Sequence, residues 1–146
     1  MSNRLGYTGR HGTLGGRRKG GTALSKRAQH RARYIEAWNA MDAGKLLASV
    51  ADGFVFDDPA EPAPVTKSML ADYMPRWPAK AGALGAGFVF DIVDKVVQDR
   101  DGVLLEWYWW RLAGTGVEGS AVIKTTDAGV LSERLTYYKT PWPLRT

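Results

Sequence analysis

The sequence predicts an α+β domain: a cone-shaped barrel of a curved antiparallel sheet, closed by three N-terminal helices. Helical periodicity is confined to the first half of the chain, and four runs rich in β-branched and aromatic residues fill the second half. Short turn signals separate these runs, which is typical of an antiparallel meander. Because the helices come first and the strands last, the order favours α+β over an alternating α/β arrangement.

The helical half contains three predicted helices. Ser25 is the predicted N-cap of the first, which runs to about Ala43 and ends at Gly44. Its apolar face is defined by residues three or four positions apart, namely Ala28, Ala32, Ile35, Trp38 and Met41. A second, short helix is predicted over residues 45–50. Thr66 is expected to cap a third helix, which Pro75 and Pro78 end.

The strands follow a brief apolar segment, Phe54–Phe56, and a proline-rich loop that begins at Asp57. Four longer strands are predicted at Phe88–Gln98, Val103–Ala113, Val117–Thr126 and Val130–Lys139. In the second of these, Trp107 and Trp109 alternate with an equally apolar opposite face. Such a face is too apolar to leave in water, so we expect a homodimer through the outer sheet face. The alternative is that the N-terminal tail or Trp142 covers the two tryptophans.

Composition excludes several classes of protein. The chain has 146 residues and no cysteine, which excludes disulfides, a thiol nucleophile and a thiolate metal site. No metal site is expected, since no histidine and carboxylate cluster has the spacing of metal ligands. No apolar run reaches the roughly 18 residues of a membrane-spanning helix. No membrane partner is therefore expected, and the absence of an apolar N-terminal stretch indicates a cytoplasmic location.

The basic character of the chain belongs to its first residues. Nine of the 20 Lys and Arg residues lie in residues 1–33, which contain no Asp or Glu. Residues 1–24 are predicted to be a disordered, glycine-rich tail, because so little apolar area cannot offset the entropy of ordering that much glycine. An arm for nucleic acid is the functional interpretation of this tail and a solvated extension the simpler one. Nucleic acid is not the expected partner, since the domain at residues 25–146 is acidic.

A family resemblance is carried by three segments: residues 33–42 (RYIEAWNAMD), 46–59 (LLASVADGFVFDDP) and 129–138 (GVLSERLTYY). They resemble the opening and the last strand of the nuclear transport factor 2-like superfamily, in its SnoaL-like and ketosteroid isomerase-like branch. The likeness runs from about Lys26 to Lys139. It implies the cone-shaped fold and a pocket for an apolar or aromatic small molecule.

The resemblance also implies catalytic residues. The family's catalytic tyrosine falls on Tyr34, and its general-base aspartate, the one before a proline, falls on Asp58. A carboxylate beside Phe56 is expected to be poorly solvated and therefore to be a usable base. By this implication Asp58 moves a proton α to a carbonyl and Tyr34 stabilises the enolate. The reaction is an isomerisation or cyclisation that needs no cofactor.

One part of the isomerase pattern is missing. The second acid of that branch falls on Ala121, Val122 or Ile123, none of which is acidic, so Glu106 on the adjacent strand is the expected substitute. Five aromatic residues and one cation are expected to contact the ligand: Trp38, Phe56, Tyr73, Tyr108, Trp110 and Arg134. Arg134 is expected to pair with Asp58 or Glu106, or else to lie on the rim.

Two other interpretations remain open at this point. The same pocket can bind a hydrophobic ligand without turnover, or the cone can be filled and serve as a dimeric scaffold. Asp58 before Pro59 is also a common turn former that accepts local backbone hydrogen bonds. Tyr34 is equally consistent with a core aromatic residue whose hydroxyl group binds a buried acceptor.

Overall fold

A computed structural model describes residues 24–146, so the predicted tail lies outside the described residues except for Leu24. The helices are α1 (Lys26–Ala40), α2 (Ala43–Ser49), α3 (Leu70–Tyr73) and α4 (Arg76–Ala83). The strands are β1 (Val50–Asp57), β2 (Val65–Thr66), β3 (Phe90–Arg100), β4 (Val103–Leu112), β5 (Glu118–Thr126) and β6 (Gly129–Lys139). None of the described helices is long and apolar enough to cross a membrane.

The strands form one curved sheet in the order β2-β1-β6-β5-β4-β3. Strands β3 to β6 are an antiparallel meander, which confirms the four predicted strands, whereas β1 pairs with β6 in parallel. Register shifts between Ile92 and Asp94 in β3, and within β1 and β6, bend the sheet. The turn between β3 and β4 has positive φ at Asp101 and Gly102, as tight hairpin turns require. The predicted α+β cone is therefore confirmed.

Helix α1 begins as predicted, because the Ser25 hydroxyl accepts a hydrogen bond from the Ala28 amide. Its predicted end at Gly44 is wrong. Met41 adopts the left-handed conformation, and its amide donates hydrogen bonds to the Ala37 and Trp38 carbonyl groups of the last turn. Asp42 then caps α2 by accepting from the Lys45 amide, so Gly44 lies inside the second helix. The aspartate cap starts the second helix two residues earlier than the sequence predicted.

The predicted buried face of α1 is also rotated from the observed one. Arg31, Tyr34 and Ala37 are buried, whereas Ala32 is exposed. Ala32 borders an open cavity, described below, so its apolar side chain faces empty space rather than packed core.

The third helical region is longer than predicted. A single 3₁₀ turn leads into α3, and a separate helix, α4, follows it. Helix α3 ends before Pro75, as predicted, but Pro78 ends no helix, because Pro75 occupies the N-cap position of α4 and Pro78 is its third residue. Proline is tolerated there, since the amides of a first helical turn have no intrahelical acceptor. Helix α4 places Trp77 in the core, where its ring contacts Phe88, Phe90 and Trp110.

Candidate functional site

A cavity of about 1090 Å³ lies between α1 and the β3–β4 side of the sheet. Its mouth is bordered by Ala32, Ile35 and Asn39 of α1 and by residues 91–95 of β3. The walls are mostly aromatic and include Trp38, Phe56, Trp77, Phe88, Phe90 and Trp110. The cavity stays open because β3 is an edge strand that bulges at Val93, where Ile92 and Val93 are each 40% exposed.

Three polar side chains form a hydrogen-bonded cluster on the cavity wall. Tyr34 Oη donates to Glu133 Oε2 over 2.5 Å, and Tyr108 Oη donates to Glu133 Oε1 over 2.7 Å. Tyr34 comes from α1, Tyr108 from β4 and Glu133 from β6, and all three line the cavity. Alternation along β6 turns Glu133 inward together with Leu135, because side chains two residues apart share a face of the sheet.

The environment of Glu133 favours its neutral form. Burial raises the pKa of Glu133, although the two phenol hydrogen bonds and the nearby Arg31 favour the ionised form and limit the rise. Burial, and then the negative charge of Glu133, raise the pKa of both Tyr34 and Tyr108. The tyrosines therefore remain phenols that donate hydrogen bonds, and Glu133 is the group of this cluster that is suited to exchange a proton.

An ion-pair cluster lies beside these residues. The guanidinium of Arg31, through Nε, binds Glu106 Oε2, and Lys95 Nζ lies 3.0 Å from Glu106 Oε1. Burial alone raises the pKa of Glu106, but Arg31 and Lys95 together outweigh burial, and the pKa is lowered. Glu106 is therefore ionised and faces two cations. Glu106 and Glu133 share the inner face of the sheet with Ile123 between them in register.

Asp58 lies in a separate buried network. It is 0% exposed and does not line the cavity. Its carboxylate accepts hydrogen bonds from Tyr73 Oη (2.8 Å), Tyr137 Oη (2.9 Å) and the Ala60 amide (2.9 Å). Trp77 Nε1 in turn donates to Tyr73 Oη over 2.7 Å. The bond from Ala60 is the local turn that a residue before proline favours.

The C-terminal segment covers this network from outside. Trp142 packs edge-on against Trp77 and Tyr137, with ring centroids 5.9 Å apart in both cases. Arg145 donates to Asp57 Oδ1 over 2.5 Å, and its amide binds the Pro59 carbonyl. Together with the aromatic wall, this segment keeps Asp58 from solvent. The structure therefore places the expected general base outside the lining of the cavity.

The structure brings some predicted site residues together and separates others. Five of them line the cavity, namely Tyr34, Trp38, Phe56, Tyr108 and Trp110. Glu106 is buried in the adjoining ion-pair cluster. Tyr73 lies with Asp58, outside the cavity. Arg134 does not line the cavity: its side chain is 73% exposed and pairs with Asp57, rather than with Asp58 or Glu106.

Three residues of the site were not anticipated: Arg31, Lys95 and Glu133. Glu133 had a sequence signal, since it alternates with the buried Leu135 and so shares its inward face. Arg31 is one helical turn before Tyr34 and so shares its face of α1. Lys95 had no such signal, because the bulge in β3 changes which residues point inward.

Within residues 24–146, no group of three or more His, Asp or Glu side chains is arranged to hold a metal ion.

Comparison with known proteins identifies the family. Residues 32–132 match the SnoaL-like domain family, and the chain therefore belongs to it. No curated protein sequence matches the chain.

Solved structures agree on the fold. One is a nuclear transport factor 2-like protein of unknown function from Cytophaga hutchinsonii, with a TM-score of 0.53, 13% identity and coverage of 80% of this chain and 92% of its own. Another, from Shewanella putrefaciens, is described as a candidate SnoaL-like polyketide cyclase, with a TM-score of 0.53, 12% identity and coverage of 78% and 80%. At such identities the likeness concerns the fold, which is nuclear transport factor 2-like.

Proposed function

We propose that this SnoaL-like chain binds an apolar small molecule in the cavity, with a carbonyl or hydroxyl group of the ligand against Tyr34, Tyr108 and Glu133. The observation that carries the proposal is a buried acid held by two phenols on the mostly aromatic wall of a cavity of about 1090 Å³. Small-molecule sites commonly combine an apolar wall with a few convergent polar groups in a space of roughly 300–1,000 Å³. The volume suits a ligand of two or more fused rings.

Calorimetric titration with methyl 2-naphthoate tests this proposal. Ala32→Trp places a bulky ring at the cavity mouth without disturbing the core, because Ala32 is exposed and borders the opening. We expect it to weaken binding by at least about tenfold, or ~1.4 kcal/mol. The matched control is Arg33→Trp, one residue along the same helix and exposed. Equal affinity of the wild type and Ala32→Trp would place the ligand elsewhere and refute the proposal.

Proton transfer on the bound ligand is a second candidate function, favoured by the raised pKa of Glu133 at the cavity wall. In this isomerase- or cyclase-type step the ionised Glu133 takes a proton from the carbon α to the ligand carbonyl, leaving an enolate. Once protonated, Glu133 no longer requires both phenol donors, so Tyr34 or Tyr108 is free to donate to the enolate oxygen. Return of the proton to another carbon completes an isomerisation, and attack of the enolate on a second carbonyl completes a cyclisation.

Hydrogen exchange of 2-tetralone in D₂O, followed by NMR, separates turnover from binding alone. We expect the wild type to accelerate exchange at the α carbon and Glu133→Gln to lose about a hundredfold or more of that acceleration, the usual scale for a general base. If 2-tetralone binds but its α-carbon hydrogens exchange only at the rate seen in buffer, the domain binds the ketone without catalysis. That outcome refutes the second candidate and preserves the first.

We also propose that the partner of this chain is a second copy, docked through the outer sheet face. Trp107 and Trp109 of β4 are half-buried there, and the ring of Trp109 contacts that of Tyr138, which is 51% exposed. Light scattering of the full chain is expected to give the mass of a dimer, and Trp107→Lys that of a monomer. A wild-type monomer at high protein concentration would contradict this proposal.

A further inference from the structure

The wall of the cavity includes a guanidinium with open donors. Arg31 is 8% exposed, and its only hydrogen bond within residues 24–146 runs from Nε to Glu106. Its two terminal nitrogens have no described acceptor, and the residue lines the cavity. A planar guanidinium with one edge free is suited to a carboxylate or another oxyanion.

The charges around Arg31 depend on the state of Glu133. Among the described residues, the charged or titratable groups that act most strongly on Glu133 come from α1 (Arg31, Tyr34) and β4 (Glu106, Tyr108), while Phe56 of β1 and Ile123 of β5 are its apolar partners in register. Lys95 of β3 adds a second cation on Glu106. Glu36, Asp91 and Asp94 also line the cavity, but these carboxylates are exposed to solvent. Within the cluster of Arg31, Lys95, Glu106 and Glu133, two carboxylates balance two cations when Glu133 is ionised. When Glu133 is neutral, the cluster has one positive charge in excess, and Arg31 lines the cavity.

We propose that the terminal nitrogens of Arg31 bind an organic anion, a carboxylate or enolate on an apolar ring system, while Glu133 keeps a proton. An uncompensated buried cation is unfavourable, so an anionic ligand restores the balance that protonation of Glu133 removes. This inference rests on the proposed function, because it names the ligand class for the same cavity. It also fits the second candidate, since proton abstraction by Glu133 would generate the same pair, an enolate beside a neutral acid.

The test compares two probes of the same shape, 2-naphthoate and its neutral methyl ester, by calorimetry from pH 5 to pH 8. We expect the anion to bind at least tenfold more tightly than the ester at pH 5. Its affinity falls as pH rises through the titration of Glu133, approaching tenfold per pH unit, because binding retains a proton that free Glu133 has lost. Titrations in buffers of different ionisation enthalpy should show uptake approaching one proton. Ester binding should not depend on pH.

Two variants assign these effects to residues. Glu133→Gln should bind 2-naphthoate with no pH dependence, and Arg31→Gln should lose the preference for the anion while still binding the ester. Arg33→Gln, exposed on the same helix, is the matched control for the removal of one cation. Thermal melts confirm that each variant is folded before it is titrated.

The outcomes distinguish a failure of the anion site from a failure of the proposed function. If neither probe binds, the proposed function fails. If the ester binds as tightly as the anion, the proposal that the cavity binds an apolar molecule is supported and the anion site is overturned. If the anion is preferred in both wild type and Arg31→Gln, or binds without proton uptake at any pH tested, the assignment to Arg31 and Glu133 is overturned.

Discussion

Replacement of Asp58 by Asn tests whether this residue is structural, as its three hydrogen bonds indicate. The amide can keep Tyr137 and Ala60 as donors to its one oxygen, but its nitrogen then faces Tyr73 Oη. That oxygen already accepts from Trp77 Nε1, so the Tyr73 hydroxyl hydrogen is left without an acceptor. A hydrogen bond to a charged group contributes about 1.5–3 kcal/mol, and we expect a loss of about 2–3 kcal/mol in the free energy of unfolding.

The assay is urea denaturation together with thermal melting. A loss of this size in a domain of this length lowers the Tm on the order of 10 °C. The affinity for methyl 2-naphthoate should stay within about twofold of the wild type, since Asp58 does not line the cavity and binding depends on groups that do. Asp57→Asn is the matched control, because Asp57 makes only partly exposed ion pairs, which contribute about 0–1 kcal/mol.

The result that would refute this reasoning is the opposite pattern. An Asp58→Asn protein that melts at the wild-type temperature, yet no longer binds the ester or exchanges the protons of 2-tetralone, would restore Asp58 as the base implied by the family resemblance.

Three further predictions concern stability. Burial raises the pKa of Glu133 in the folded state, so ionisation of Glu133 destabilises the fold, and the free energy of unfolding should fall as pH rises from the unfolded-state pKa of about 4.3 to the raised folded-state pKa. Urea melts should show this fall for the wild type and not for Glu133→Gln. Parallel curves for the two proteins would contradict the prediction. Trp142→Ala removes the ring contacts to Trp77 and Tyr137 and should cost about 2 kcal/mol in the same assay, whereas no change would show that the C-terminal segment is not packed. Gly119→Ala puts a Cβ 2.1 Å from the Thr136 carbonyl oxygen and should cost at least about 2 kcal/mol, and a neutral effect would mean that the β5–β6 pairing is looser than described.

The order of elements could be predicted because it rests on local signals. Turn residues at Asp101-Gly102 and Asp127-Ala128 set the hairpins, and alternation fixed which side of β4 holds Tyr108 and Trp110. The helix ends were less predictable. Both Met41 in a left-handed conformation and Pro78 inside α4 depend on neighbouring turns rather than on intrinsic propensity. The two-residue strand β2 is too short to produce a periodic signal.

The candidate site was less predictable, because its partners meet only in the folded chain. Tyr137 is 79 residues from Asp58 in sequence, and Glu133 is 99 residues from Tyr34. The predicted pair of Tyr34 and Asp58 has the residue types that the family resemblance implies, but residue types do not determine which buried acid borders the cavity. The bulge in β3 likewise directs Lys95 towards Glu106, and no local sequence pattern predicts this bulge.

Asp58 and Glu133 show why hydrogen bonding alone does not identify a functional acid. Each carboxyl group is buried and accepts from two tyrosine hydroxyls. Asp58 gains a third donor from its own backbone turn, and a shell of side chains and the C-terminal segment closes around it, so its charge is compensated without a ligand. Glu133 has no such backbone donor among its described hydrogen bonds and borders a cavity large enough for a ligand. Since a proton can be exchanged only where a ligand can reach, the proton transfer proposed for this cavity is expected at Glu133 rather than at Asp58.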